Sequence, residues 1–359
     1  MSALTASLLQ TPPAGIGFKD ETTQSTRKPI EGSVANDCLI RMARQGLFLT
    51  FNLLFRDLFL LSLKLFNLWF GVRFFQYIFL VYPGDKDDLK AYCPKQLSWL
   101  FRNGRFGVAG IITTGLNKKG RGLIVVIPES DDELARDQQR LCKIIEKLEY
   151  LRQDIGCISL ALAGRLPSLL SDTLSKRIPA RALSIRGTVY SIQKAVTSLY
   201  FPDSSVNVAI IGVGLIGKVL ADSLQSLGYT VYGVDKKPRP GKCRFIRNLA
   251  ELKKAHVVVV LTPKGDDFEE YRNYLNPNSF IVDDTHPEIP SSLVQDFSTV
   301  RVGIELPGVR FWPKLPGIPA NVIPGCAVGA LTVSANEGCL PSNQTTFSAI
   351  ANDIGFVLP

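Results

Sequence analysis

Residues 206–235, VNVAIIGVGLIGKVLADSLQSLGYTVYGVD, narrow the fold more than any other stretch of the chain. An apolar run ends in Gly212-Val213-Gly214-Leu215-Ile216-Gly217. A helical period then continues to Leu227 and stops at Gly228, and a second apolar run, Thr230–Val234, ends at Asp235. Strand, glycine turn, helix and strand with an acid at its end make a βαβ unit suited to a dinucleotide. In that reading Gly212 permits the tight turn and Gly214 lets the backbone approach a pyrophosphate. Gly217 lets helix and strand pack closely, and the N–H groups of Leu215 and Ile216 meet the phosphates at the positive end of the helix.

Asp235 stands 23 residues after Gly212, where a carboxylate accepts hydrogen bonds from ribose hydroxyls and repels a 2′-phosphate. Lys236, Lys237 and Arg239 follow and could hold that phosphate. The balance favours NAD(H) over NADP(H). Further apolar runs at 256–261, 280–283 and 300–304 predict more strands, hence a parallel sheet. Ligands in such sheets lie at the strand carboxyl ends, which brings Thr262 and Pro263 to the cofactor. The same rule brings Asp283-Asp284-Thr285-His286 to the site, with the two aspartates as turn caps and His286 as a candidate proton donor. His256, at the start of a strand, is expected to be structural.

The rest of the chain sets the context. Residues 1–37, rich in Ser, Thr, Pro and Gly, read as a disordered tail, and no secretory leader is expected. Residues 38–77 are packed with Leu and Phe, interrupted by Arg56, Asp57, Lys64 and Arg73. They predict a hydrophobic helical segment that spans a membrane, lies in its interface or is buried, the interfacial arrangement being favoured. The formal net charge is +9, and residues 91–200 hold 17 basic against 9 acidic side chains. Such a field attracts phosphates, acidic carriers or anionic lipid. No nucleic-acid motif accompanies it. The 7 cysteines form no CxxC pair and only 2 histidines exist, so no metal cluster is expected, and free thiols point to a cytoplasmic location.

Gly107–Thr113 and Gly122–Ile127 read as strands joined by the turn Asn117–Gly120. Ser130-Asp131-Asp132-Glu133 is a capping box opening a helix to about Gln153. Cys157–Leu162 reads as a strand, 163–168 as a loop, and Arg186–Ser191 as the start of a helix to Tyr200. Phe201–Ser205 reads as a turn and a domain boundary. Near the end, Pro324-Gly325 breaks a strand and starts a helix at Cys326, where the helix dipole is expected to lower the thiol pKa and make a nucleophile. The fold class is therefore α/β. A second α/β substrate domain (78–202) precedes a Rossmann-type doubly wound parallel sheet (203–320), and a C-terminal helical segment (321–359) carries the thiol.

Taken in order, FLVYPGDKDDLKAY, GRGLIVVIP, LALAGRLPS, RGTVYS, the glycine loop, IVDDTHPEIP, PGCAVGA and TTFSAIANDIGFVLP resemble the long-chain acyl-carrier-protein reductase family, which forms fatty aldehydes. More remotely, the chain is similar to the shikimate dehydrogenase and glutamyl-tRNA reductase type of two-domain fold. The resemblance implies a thioester on Cys326 and reduction of a fatty acyl group from CoA or acyl carrier protein. The enzyme would be peripheral at a membrane surface. Glu three residues after the cysteine is usual in that family; here the position is Gly329. The alternatives are a dehydrogenase of a small acid or alcohol without covalent catalysis, and a membrane-attached NAD-binding regulatory protein. A homo-oligomer is expected.

Overall fold

The computed structural model describes residues 31–83, 90, 93–101, 105–116, 120–171, 177–199, 206–236, 243–313, 319 and 321–359. Most of the expected tail, the turn residues 117–119, the boundary 201–205, and Lys237 and Arg239 lie outside them. The chain divides into two compact units, Met1–Ile40 and Arg41–Pro359.

Helix α1 (Glu31–Thr50) begins two residues after Pro29, inside the stretch expected to be tail. It runs through a π turn (Phe51–Phe55) into α2 (Arg56–Phe70), which stops at Gly71 in the left-handed conformation with φ 61°. The first sheet follows: β1 (Tyr77–Val81), β2 (Gly107–Thr113) and β3 (Gly122–Val126). β2 and β3 form the expected hairpin, antiparallel, while β1 lies parallel to β3. Helix α3 (Asp131–Arg136) opens on Ser130, whose hydroxyl accepts from Glu133 N while Glu133 accepts from Ser130 N. A break at Asp137, which caps the next helix, separates α3 from α4 (Gln138–Asp154), so one expected helix is two.

β4 (Ser159–Leu162) joins β1 in parallel. The loop expected at 163–168 contains a single helical turn, α5 (Leu166–Leu169), with Pro167 in its first turn, where the missing N–H costs nothing. Helix α6 (Ala180–Ser198) starts six residues before the expected Arg186. Its small and β-branched residues are buried on nearly every side, so it lacks the amphipathic period that would have marked its start.

The second sheet contains β5 (Asn207–Ile211), β6 (Thr230–Val234), β7 (Arg244–Phe245), β8 (Val257–Val260), β9 (Phe280–Asp283) and β10 (Ser298–Arg301). Helix α7 (Leu215–Ser226) follows β5, and the short helices α8 (Glu269–Arg272) and α9 (Ser291–Val294) follow β8 and β9. All neighbours are parallel. Numbered within the sheet, the order β7-β6-β5-β8-β9-β10 is 3-2-1-4-5-6, the doubly wound order. β8, four valines all buried, has the composition of a strand covered on both faces.

This sheet ends at Arg301, not near 320. β11 (Ile304–Glu305) pairs with β13 (Val322–Ile323), and β12 (Arg310–Trp312) returns to the first sheet, antiparallel to β2. Helices α10 (Gly325–Ala335) and α11 (Gln344–Ile354) complete that sheet's core, where Phe347, Leu331, Ala327 and Phe356 pack with Phe79 and Ile124. The first sheet and its core are thus built from two separated parts of the chain. Short pairings such as β11–β13 carry almost no local pattern, which is why the sequence hides them.

Candidate functional site

The carboxyl ends of β5, β6, β8 and β9 are level. Ile211 pairs with Val234 and Val260, and Val260 with Asp283. Gly212, Asp235, Thr262 and Asp284 therefore line one edge, with the reversal of strand order between β5 and β8 at its centre.

Each glycine of the loop has a separate cause. Gly212 has φ 94°, and a Cβ there would lie 2.9 Å from the Leu261 carbonyl oxygen, so the turn needs both the left-handed backbone and the missing side chain. Gly217 is needed for packing: its Cβ would lie 2.6 Å from Gly212 O. A Cβ on Gly214 would meet nothing within 4 Å. Among the described residues no protein atom accounts for that glycine, and the open side of the loop is where a ligand would lie. Gly214 is the N-cap of α7, and Leu215 and Ile216 fall in the first turn, whose N–H groups have no partner within the helix. These residues fit a pyrophosphate.

Asp235 follows β6 directly, half-buried near Tyr271. Lys236 is exposed, and its ammonium lies 2.8 Å from Glu270 Oε1, which draws its charge toward α8. Thr262 donates its hydroxyl to Lys264 O at 2.9 Å, fixing the turn that carries Pro263 past Gly212.

At the end of β9 the two aspartates differ. Asp283 is the cap expected from the sequence: Oδ1 accepts from Thr285 N and Oγ1, Oδ2 from Ile289 N, and Arg301 lies 2.8 Å from Oδ2. Asp284, which follows it, is near enough to Cys326 for its charge to act on the thiol. Burial lifts its carboxyl to about 7, opposed by Arg301 and reinforced by Asp283. Reading both aspartates as caps missed it, and only the close Asp-Asp spacing hinted that one of them must face elsewhere. His286 is exposed, on a turn that continues through a cis bond to Pro287. His256 is structural as expected, its Nδ1 accepting from Asn207 N at 3.0 Å.

Cys326 occupies the first turn of α10, at the position expected, half-buried beside Tyr82 and Asp284. The nearby backbone N–H groups of Gly164, Cys326 and Ala327 favour its thiolate. The direction of its pKa shift is nevertheless opposite to the expected depression. Burial pushes the thiol up to about 12, the Asp284 charge adds to this, and the three N–H groups only partly oppose it. A helix N-terminus lowers a thiol pKa where water reaches it; here loss of solvation wins. Cys157 is likewise pushed up to about 12 by burial, and Cys339 is exposed past the end of α10.

Gly329 has a packing cause. A Cβ there would lie 1.9 Å from the Leu183 carbonyl oxygen, and one on Gly187 would lie 2.4 Å from Gly329 N. Helices α6 and α10 cross backbone to backbone, so no acidic side chain can be accommodated at 329.

Among the described residues no cluster of His, Cys, Asp and Glu could hold a metal. No protein-family model and no curated protein matches the chain. Solved structures are similar in part. The NADPH-dependent glyoxylate/hydroxypyruvate reductase of Sinorhizobium meliloti is 18% identical over 28% of this chain and 53% of its own, with a TM-score of 0.25. One component of the dipicolinate synthase of Bacillus halodurans is 16% identical over 53% of this chain and 60% of its own, with a TM-score of 0.31. A D-isomer specific 2-hydroxyacid dehydrogenase of Lactobacillus delbrueckii, in its NAD complex, is 13% identical over 58% and 71%, with a TM-score of 0.22. The chain spans about half the length of the first of these.

Proposed function

We propose that the chain is a nicotinamide-dependent oxidoreductase acting on the carbonyl or hydroxyl group of a small acid or alcohol, without a covalent intermediate. The supporting observation is the unfilled side of Gly214 at the start of α7, level with Asp235 in a 3-2-1-4-5-6 sheet. When bound, the nicotinamide supplies or accepts a hydride. The chain's own part is to hold the pyrophosphate on the N–H groups of α7 and the ribose on Asp235. Asp235 favours NAD(H), and the Lys236–Glu270 pair supports this by occupying the adjacent cation. Asp284, with its carboxyl near 7, is suited to exchange the proton that accompanies hydride transfer at the substrate oxygen.

A second reading follows from the place of Cys326 in the first turn of α10, near backbone N–H groups that favour its thiolate. They would stabilise a thiolate once a bound substrate changed its solvation, as acyl-thioester reduction of the long-chain reductase type requires. Fatty acyl-CoA or acyl carrier protein would then be the substrate, met by the basic middle third of the chain. One experiment separates the two. The purified protein is titrated with NADH and NADPH by fluorescence, then assayed on small hydroxy and oxo acids, on alcohols and on long-chain acyl-CoA, beside Cys326→Ser. The first reading expects NADH binding and turnover of a small substrate that survives Cys326→Ser. Acyl-CoA turnover abolished by Cys326→Ser would replace it with the second, and failure to bind either dinucleotide refutes both.

A further inference from the structure

We propose that the outward face of the helix from Arg41 to Phe70 docks flat on an anionic lipid bilayer without crossing it. Ile40–Phe70 is 31 residues long and apolar enough to span a membrane by length and composition. Its inner face, however, is fastened to the body by polar groups. Asn52 Nδ2 donates to Val108 O at 3.0 Å and its Oδ1 accepts from Val108 N at 2.7 Å, matching the edge of β2. Arg56 donates to Phe106 O at 2.9 Å, Lys64 lies 3.0 Å from Asp154, and Asn67 donates to Asp154 O at 3.3 Å. Leu63, on the same side, is buried in the core with Leu148. Crossing a bilayer would carry Asn52, Arg56, Lys64 and Asn67 into hydrocarbon without these partners.

The amphipathicity is inverted. While the polar groups face inward, Leu54, Leu58, Leu61 and Leu68 recur at helical spacing on the opposite side, with exposures of 70%, 62%, 50% and 71%. Trp69 is exposed beside them. Phe101 packs on Phe48 with ring centroids 5.2 Å apart, and Trp99, two residues earlier, is exposed. Exposed tryptophans at the edge of an apolar face suit the headgroup boundary.

Charge selects the occupant. Arg56 and Lys64 are engaged with Asp57 and Asp154, which leaves Arg44 and Arg73 as the cations at the two ends of the apolar segment, and Asp57 is the one acid in the sequence from Ile40 to Phe75. A second copy docking by the same face would set these cations against themselves. Anionic headgroups complement them. This inference is independent of the oxidoreductase reading.

The test uses the full chain, floated with phosphatidylcholine–phosphatidylglycerol vesicles and with pure phosphatidylcholine vesicles. Binding to the mixed vesicles is expected, weaker to the neutral ones and reduced by salt. Leu58→Glu with Leu68→Glu, and separately Arg44→Glu with Arg73→Glu, should each weaken it about tenfold or more, with near-UV circular dichroism unchanged. Bromine near the glycerol end of the acyl chain should quench Trp69 more than bromine at the bilayer centre. The proposal is overturned if the full chain ignores anionic vesicles, or if the charge variant, folded as wild type, binds them as well as wild type. Stronger quenching from the bilayer centre would show a span. A dimer in solution that Leu58→Glu with Leu68→Glu dissociates, together with no vesicle binding, would give the face to a second copy.

Discussion

Gly214→Ala separates binding from folding more cleanly than any other change in the molecule. The added methyl meets no atom of the described residues within 4 Å, and φ at this residue is −74°, outside the left-handed region. Stability should therefore stay within about 0.5 kcal/mol of wild type. The methyl instead enters the space a pyrophosphate would fill against the first turn of α7. Displacing the phosphate by about an ångström weakens one charge-assisted N–H bond, worth roughly 1.5–3 kcal/mol. The dissociation constant for NADH should rise about tenfold to hundredfold, since about 1.4 kcal/mol is a factor of ten. Fluorescence titration with NADH measures it, and urea unfolding supplies the stability control. Gly217→Ala should behave oppositely, because its methyl would lie 2.6 Å from Gly212 O and disturb the fold itself. Unchanged NADH affinity in a folded Gly214→Ala protein would refute the placement of the pyrophosphate.

Gly329→Ala should destabilise the protein by about 3 kcal/mol or more in urea unfolding, because the methyl would lie 1.9 Å from Leu183 O and both crossing helices must move; a neutral result would mean the crossing is looser than described. At neutral pH iodoacetamide should label exposed Cys339 well before Cys326, whose thiol sits near 12, and the reverse order in peptide mass spectrometry would show a thiolate that burial does not suppress. Asp284 has a folded pKa of about 7, above that of an unfolded aspartate, so its stabilising contribution is complete below about pH 4 and lost as pH rises through about 7. Unfolding free energies at about pH 5 and about pH 8 should show that fall in wild type and a flatter profile in Asp284→Asn; equal profiles would remove the raised carboxyl.

Local pattern alone determined a good deal here. The glycine loop, the two strands around it, Asp235, the capping box at Ser130 and the helix start at Cys326 all stand where residue spacing places them. Each depends on contacts within a few residues of the chain, so each leaves a short-range signature. Other features involve residues far apart in sequence. Gly329 reads as a missing acid until Leu183 is seen 1.9 Å from its would-be Cβ. Cys326 reads as an activated thiol until burial beside Tyr82 and Asp284 reverses the effect of the helix dipole. The apolar run to Phe70 leaves its orientation open until Asn52 and Asn67 are found bonded to Val108 and Asp154. Solvation, close helix crossing and the choice of buried face depend on what the rest of the chain brings to each residue, and only the tertiary structure decided them.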